Sequence, residues 1–222
     1  MKRTILGVKG LLIFLAVAAS AASAAPAGQT GTDLDRKVRA FLDSHAGQWY
    51  DMNVSEADGR ILYDIIVKNK YTRALEIGTS TGHSGIWIAW ALSKTGGKLI
   101  TIDIDEGRHR EAVANFREAG LDAYIDARLA DAHELVPALP GPFDFVFCDA
   151  DKDWYKNYFV TVLPKLTVGG VFTAHNVSER MRRGGWGAAS FVEHVLSLPN
   201  METTFAAWSR AGLSVSYKRA EK

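Results

Sequence analysis

The chain of 222 residues is 47% hydrophobic, 23% charged and 10% aromatic, which excludes collagen, low-complexity disorder and a polytopic membrane protein. Its 26 basic residues nearly balance 25 acidic ones, for a net charge of +1, so no excess of Lys and Arg follows a nucleic-acid backbone. The single cysteine, Cys148, excludes an intrachain disulfide framework and a multi-cysteine metal site.

Residues 1–24 read as a secretory signal. Lys2, Arg3 and Lys9 form a basic start, an unbroken apolar run follows, and Ala22-Ser23-Ala24 offers small residues for cleavage. The run is well short of the ~20 residues that span a bilayer. The expectation is an exported protein, periplasmic or secreted, without a permanent membrane span; an uncleaved anchor is the alternative. Cleavage removes three basic and no acidic residues, leaving 198 residues with a charge of −2. Residues 25–32, rich in Ala, Gly and Thr, read as a flexible leader, and residues 33–222 as the domain.

From Asp33 the pattern turns periodic. Val38, Phe41 and Leu42 recur at helical spacing, as do Ile61, Leu62, Ile65 and Ile66 after the cap-like Ser55-Glu56-Ala57-Asp58. A strand at 73–77 precedes a helix at 83–93, a strand at 98–102 a helix at 108–119, and a strand at 125–129 a helix at 132–139. The alternation continues with a strand at 143–148, a helix at 154–163, a strand at 171–174 and a helix at 188–198. Runs at 203–207 and 213–218, joined through Arg210-Ala211-Gly212, close the chain as an antiparallel hairpin. The prediction is an α/β fold: a Rossmann-like, doubly wound, mostly parallel seven-stranded sheet ending in that hairpin. Ligands of such sheets sit outside the carboxyl ends of the strands.

After the first strand comes Glu76-Ile77-Gly78-Thr79-Ser80-Thr81-Gly82-His83-Ser84. A dinucleotide fingerprint needs G-x-G-x-x-G, whereas here Ser80 stands where the second glycine belongs. Glu76 would also repel a pyrophosphate. Together with Asp103 at the next strand end, it suits a ligand carrying an amine or sulfonium and a ribose diol. S-adenosylmethionine has all three.

Met52-Asn53-Val54, Glu76-Ile77-Gly78-Thr79 with Gly82 and Ser84, Asp103, and Asp149-Ala150-Asp151-Lys152 resemble the small cation-dependent O-methyltransferases, the group of catechol and caffeoyl-CoA O-methyltransferases. The resemblance covers residues 52–217. It implies methyl transfer from S-adenosylmethionine to a hydroxyl of a phenol- or catechol-like small molecule. It further implies that Glu76 and Ser84 hold the methionine end and that Asp103 takes the ribose hydroxyls. Val54 and the Gly78-Thr79 turn would supply backbone contacts, Asp131-Ala132 would border the adenine, and Asp149 would complete the site. His133 either flanks the base or is a solvated first-turn residue.

Asp149 and Lys152 follow the fourth strand, and His175-Asn176 end the fifth. Oxygen ligands from neighbouring strand ends can converge on a hard cation. The resemblance implies a divalent metal on Asp149 and Asn176, with Lys152 as general base and a carboxylate where this chain has His175. An imidazole there lowers the ligand charge and favours Mn, Fe, Co, Ni or Zn over Mg. The expected metal set is therefore Asp149, His175 and Asn176. A metal-free site in which His175 or Lys152 deprotonates the hydroxyl is an alternative, and a site that has lost activity is another. An exported cofactor-binding protein without turnover is the competing class.

Trp154, Tyr155 and Tyr158 stand by that corner. A basic loop, Arg180-Met181-Arg182-Arg183-Gly184-Gly185 before Trp186, either covers an acidic acceptor or is a solvated surface. Trp87 and Trp90, three apart on one helix face, read as core, and Cys148 as an inert strand thiol. The N-terminal helices pack on the sheet or on a second copy, making a homodimer.

Overall fold

Thr32 opens the folded part of the chain. Its hydroxyl accepts the Asp35 N–H at 3.2 Å while the Asp35 carboxylate accepts the Thr32 N–H at 2.8 Å, a reciprocal cap that starts α1 (Asp33–Ser44). This computed structural model describes residues 32–183 and 187–221. The signal and the leader up to residue 31, and the tip of the basic loop at 184–186, lie outside the described residues.

Ser55 caps α2 (Glu56–Asn69), which ends on Lys70 in the left-handed conformation. The alternation then runs β1 (Arg73–Ile77), α3 (His83–Thr95), β2 (Lys98–Asp103), α4 (Glu106–Glu118), β3 (Ile125–Leu129), α5 (Ala132–Ala138), β4 (Phe143–Cys148), α6 (Tyr155–Val162), β5 (Leu166–His175), α7 (Ala189–Ser197), β6 (Met201–Phe205) and β7 (Leu213–Lys218). The sheet order is β3-β2-β1-β4-β5-β7-β6, parallel from β3 to β5, with β7 antiparallel to both its neighbours. The order reverses between β1 and β4, which opens a crevice at their carboxyl ends.

Successive side chains of β4 face opposite layers. Phe145 and Phe147 pack with α2 and α3; Val146 and Cys148 pack with α6 and α7. Each fully buried Phe contributes about 1.5–3 kcal/mol. Helix α3 is buried from His83 to Leu92 because the sheet lies on one side and α1, α2 and α4 pack on the others. Trp87 and Trp90 are core residues, as expected. Cys148 is buried, and burial pushes its thiol far above the ordinary range, so it stays an unreactive thiol.

Several boundaries differ from the sequence reading by one or two residues or more, and three of them have a visible cause. Helix α4 starts at Glu106, two residues early, because the Asp105 carboxylate caps it by accepting the Arg108 N–H. Strand β5 starts at Leu166 rather than at 171. Gly169-Gly170 reads as a break, but the ladder with β4 passes it through a register shift between Phe143 and Phe145. Strand β6 sits two residues earlier, at Met201–Phe205, set by pairing of Met201 with Lys218.

Register fixes the site. Ile77 pairs with Ile102 on one side and with Cys148 on the other. Gly78, Asp103 and Asp149 therefore leave their strands side by side. Cys148 in turn pairs with Ala174, which sets Asp149 beside His175.

Candidate active site

A cavity of about 340 Å³ opens at the crevice, walled by Gly78, Thr79, Ser84, Asp103, Asp131, Ala132 and Asp149. Seven of the nine expected cofactor residues thus share one wall. The other two stand behind it: Glu76 is fully buried beneath the turn, and Val54 lies on the far side of its own segment.

Gly78 has φ +98°, and a Cβ there would lie 2.6 Å from the Asp149 carbonyl oxygen, so only glycine fits at the switch point. The Gly78 and Thr79 N–H groups both donate to the Ile102 carbonyl, at 3.0 and 3.2 Å, and the Ser80 N–H donates to Asp103 Oδ2 at 2.7 Å. The amides of this turn point inward. Those three N–H groups are therefore not offered to a ligand. That favours a cationic group and opposes a phosphate, which needs N–H donors.

Glu76 strengthens that preference. Its Oε2 accepts from the Thr101 hydroxyl at 2.5 Å, and Thr101 is met by the Thr79 hydroxyl at 2.5 Å. Its Oε1 is buried without a partner. Burial pushes the carboxyl up to about 8, against hydrogen bonds from Ser84 and Thr101 and with the help of Asp149 and Asp103. A buried carboxyl with one oxygen unpaired awaits a donor.

Asp103 is held rigid, its Oδ1 accepting the Asp105 N–H at 2.9 Å. Asp131 caps α5 through the His133 N–H at 2.8 Å. His133 lines the same cavity, with its ring 4.4 Å from Trp154 and 5.7 Å from Tyr158.

The segment at 49–54 forms the lip. Asn53 donates to the Thr81 hydroxyl at 2.8 Å, and Arg108 clasps Asp51 bidentately at 2.7 and 3.0 Å. The buried His83 ring stacks on Trp49 at 4.5 Å, donates from Nδ1 to the Val54 carbonyl at 2.9 Å and accepts from Trp87 at 3.1 Å. The Val54 carbonyl is thereby engaged inside the protein and not turned to the cavity.

At the Asp149 corner, Lys152 donates to Asp149 Oδ1 and, at 2.8 Å, to the Tyr155 hydroxyl. As a base, Lys152 would first have to leave Asp149. His175 is buried with Nε2 3.3 Å from Asp58 Oδ2 and Nδ1 2.9 Å from Asp149 Oδ2. The Nδ1 contact is an ion pair without hydrogen-bond alignment. Burial pushes the imidazole down, but Asp149 and Asp58 together raise it to about 9. Asp58 is held at about 2, where His175, Ser209 and Ser55 outweigh its burial.

This donor set does not fit a divalent ion. The two carboxylates flank opposite edges of the imidazole, so they share no centre, and Asp149 already carries the Lys152 ammonium. Asn176, with φ +56°, opens on a different cavity from Asp149. Among the described residues no group of three His, Cys, Asp or Glu side chains converges on a metal position.

That other cavity, about 1070 Å³, lies on the far side of the His175–Asp149 contact and shares Asn53 with the first. Its walls include Trp49, Arg60, His175, Asn176, Trp208 and Arg210. Trp208 is 77% exposed at its rim. Sequence reasoning missed Asp58, Arg108 and Trp208. Asp58 looks like an ordinary helix-cap residue, and its partner His175 is 117 positions away. Nothing local marks Arg108 or Trp208.

Comparison with known proteins agrees with this geometry. A family model described as O-methyltransferase matches residues 33–180. A catechol O-methyltransferase of Niastella koreensis is 36% identical over 130 residues, covering 57% of this chain and 58% of that protein. A caffeoyl-CoA O-methyltransferase of Stellaria longipes is 30% identical over 148 residues, 64% of this chain and 60% of that protein. The chain therefore matches about three-fifths of the length of these relatives. The crystal structure of the O-methyltransferase from Bacillus cereus in complex with SAH superposes with a TM-score of 0.70 at 25% identity, over 83% of this chain and 91% of that one.

Proposed function

Since the chain belongs to the O-methyltransferase family, we propose that it transfers the methyl group of S-adenosylmethionine to a hydroxyl of a small aromatic acceptor. One observation carries this reading. The Gly78, Thr79 and Ser80 amides of the β1–α3 turn are taken up inside the protein, and a buried Glu76 oxygen without a partner lies beneath it, as suits a ligand bearing an ammonium and a sulfonium. The bound cofactor supplies an electrophilic methyl group. The chain supplies position: Glu76 and Ser84 take the amino-acid end, Asp103 the ribose diol, and Asp131-Ala132 the edge of the base. Proximity and in-line orientation of this kind contribute about 7–11 kcal/mol.

The acceptor belongs in the larger cavity. Trp49 and Trp208 give it aromatic walls, and His175 faces it from the side shared with Asp149. Tritium transfer from labelled S-adenosylmethionine to catechol tests the reading with the purified chain. Labelled product is expected, with at least ten-fold less from Asp103→Ala at limiting cofactor. No product from any phenol or catechol, with the cofactor still bound, would favour a binding protein. The reading includes export, supported by the basic start and apolar run of residues 1–24; N-terminal sequencing should find Ala25 first.

A further inference from the structure

The turn between β6 and β7 borders the acceptor cavity and is pinned to the carboxyl end of β5. Leu213 is the register partner of His175, and the Val177 N–H donates to the Gly212 carbonyl at 3.2 Å. Gly212, at φ +89°, permits that approach, since a Cβ there would meet the Val177 carbonyl oxygen at 2.7 Å. The turn also closes on itself, through the Ala206 N–H to the Leu213 carbonyl at 2.8 Å and the Ser209 N–H to the Ala206 carbonyl at 3.2 Å. Trp208 and Arg210 are thereby held on the cavity that His175 and Asn176 also wall.

Both side chains are spare. Trp49, the other indole of this cavity, is stacked on His83 at 4.5 Å. Trp208 is 77% exposed and meets no other ring among the described residues. An indole left in water at a cavity rim offers a stacking face.

The other charges of this cavity are engaged. Asp58 is buried against His175 at 3.3 Å, and Glu56 holds Arg60 at 3.3 Å. Asp64 stands on α2 one helical turn beyond Arg60, so its field is offset by that same cation. The Arg210 guanidinium has neither an ion pair nor a hydrogen bond among the described residues. An unpaired cation two residues from an unpaired indole matches a flat ring with an anion at its edge. The indole covers the ring, and the planar guanidinium fork takes both oxygens of a carboxylate. One cation, with Asp64 in the same cavity, suits a single negative charge and not a dianionic phosphate.

We propose that the acceptor is an aromatic acid, a hydroxylated ring bearing a carboxylate, with Trp208 stacked on the ring and Arg210 paired with the carboxylate. The inference rests on the proposed methyl transfer and narrows its acceptor. Neither residue takes part in the chemistry; both position the ring.

Calorimetric titration of the chain, with S-adenosylhomocysteine present, tests this without turnover. The probes are 3,4-dihydroxyphenylacetate, its methyl ester and 3,4-dihydroxyphenethylamine, which share a ring and differ in charge. The acid should bind the parent at least about five-fold more tightly than the ester or the amine. Arg210→Gln should bring acid and ester within two-fold of each other, and Arg210→Lys should restore part of the preference. Trp208→Ala should weaken acid and ester alike, by about five-fold or more, and Trp208→Phe by less. Equal binding of acid and ester by the parent would overturn the proposal, as would an acid preference that survives Arg210→Gln. Tightest binding of the amine would place the deciding charge on Asp64 and overturn it too. Transfer of labelled methyl to the same probes isolates the underlying reading. A chain that binds the acid through Arg210 but methylates none of the three defeats methyl transfer; one that methylates and binds all three alike keeps that reading and defeats this one.

Discussion

Glu76→Gln should make the free protein more stable and the cofactor complex weaker. The buried carboxyl sits at about 8 against an ordinary 4.5. A carboxyl raised in the folded state costs stability, and the sign is opposite to that of a salt-bridged acid. The cost is absent below 4.5, grows as pH rises from 4.5 to 8, and is constant above. At pH 7 the folded chain keeps a proton that the unfolded chain releases, at a cost of about 3 kcal/mol. Glutamine removes the titration, retains the shape, and leaves an amide oxygen for the Thr101 hydroxyl. The melting temperature of ligand-free Glu76→Gln at pH 7 should therefore rise by about 5–10 °C, with no gain at pH 4.5. The same change removes a charge-assisted hydrogen bond worth about 1.5–3 kcal/mol, so affinity for S-adenosylmethionine should fall by roughly ten- to a hundred-fold. Parent Glu76 must ionise on meeting the ligand's ammonium, so binding at pH 7 should release about one proton, read by calorimetry in buffers of different ionisation enthalpy. A melting difference independent of pH, or an unchanged affinity, would refute the reasoning.

Other outcomes follow from the same geometry. Gly78→Ala places a methyl 2.6 Å from the Asp149 carbonyl at a positive φ; it should cost at least about 2 kcal/mol by denaturant titration and abolish cofactor binding. Asp58→Asn strips one carboxylate from buried His175 and should destabilise by about 3 kcal/mol at pH 6. Because the His175 value is raised to about 9, that pairing is complete below about 6.5 and lost as pH rises through 9, so the difference between variant and parent should shrink there. Asp51→Ala frees a half-exposed Arg108 and should change stability by less than about 1 kcal/mol, yet speed cofactor release several-fold in stopped flow, since the pair ties down the lip.

Much of the fold is legible because its parallel strands read as apolar runs punctuated at their carboxyl ends by polar residues. Glu76-Ile77-Gly78, Asp103 and Asp149 mark three such ends, and the strand-end rule alone collects them into one crevice. Boundaries fail where two local signals conflict: Gly169-Gly170 has the composition of a turn, yet pairing with β4 carries the strand through it. The site is legible only as far as residue types go. Sequence places Gly78 and Thr79 beside the ligand but cannot say that their amides turn inward to Ile102. His175 is visible as a departure from the family pattern. Its meaning depends on Asp58, brought from the start of α2 by packing that no spacing encodes.

The central claim is that the crevice between β1 and β4 binds the cofactor by its cationic amino-acid end and its ribose. A crystal structure of the chain with S-adenosylhomocysteine measures this directly. The account predicts the ligand's ammonium on the Gly78 carbonyl and within reach of Glu76, its ribose hydroxyls on Asp103, and its base against Asp131-Ala132. Density elsewhere in the molecule, or the ligand reversed with its base over Glu76, would contradict it.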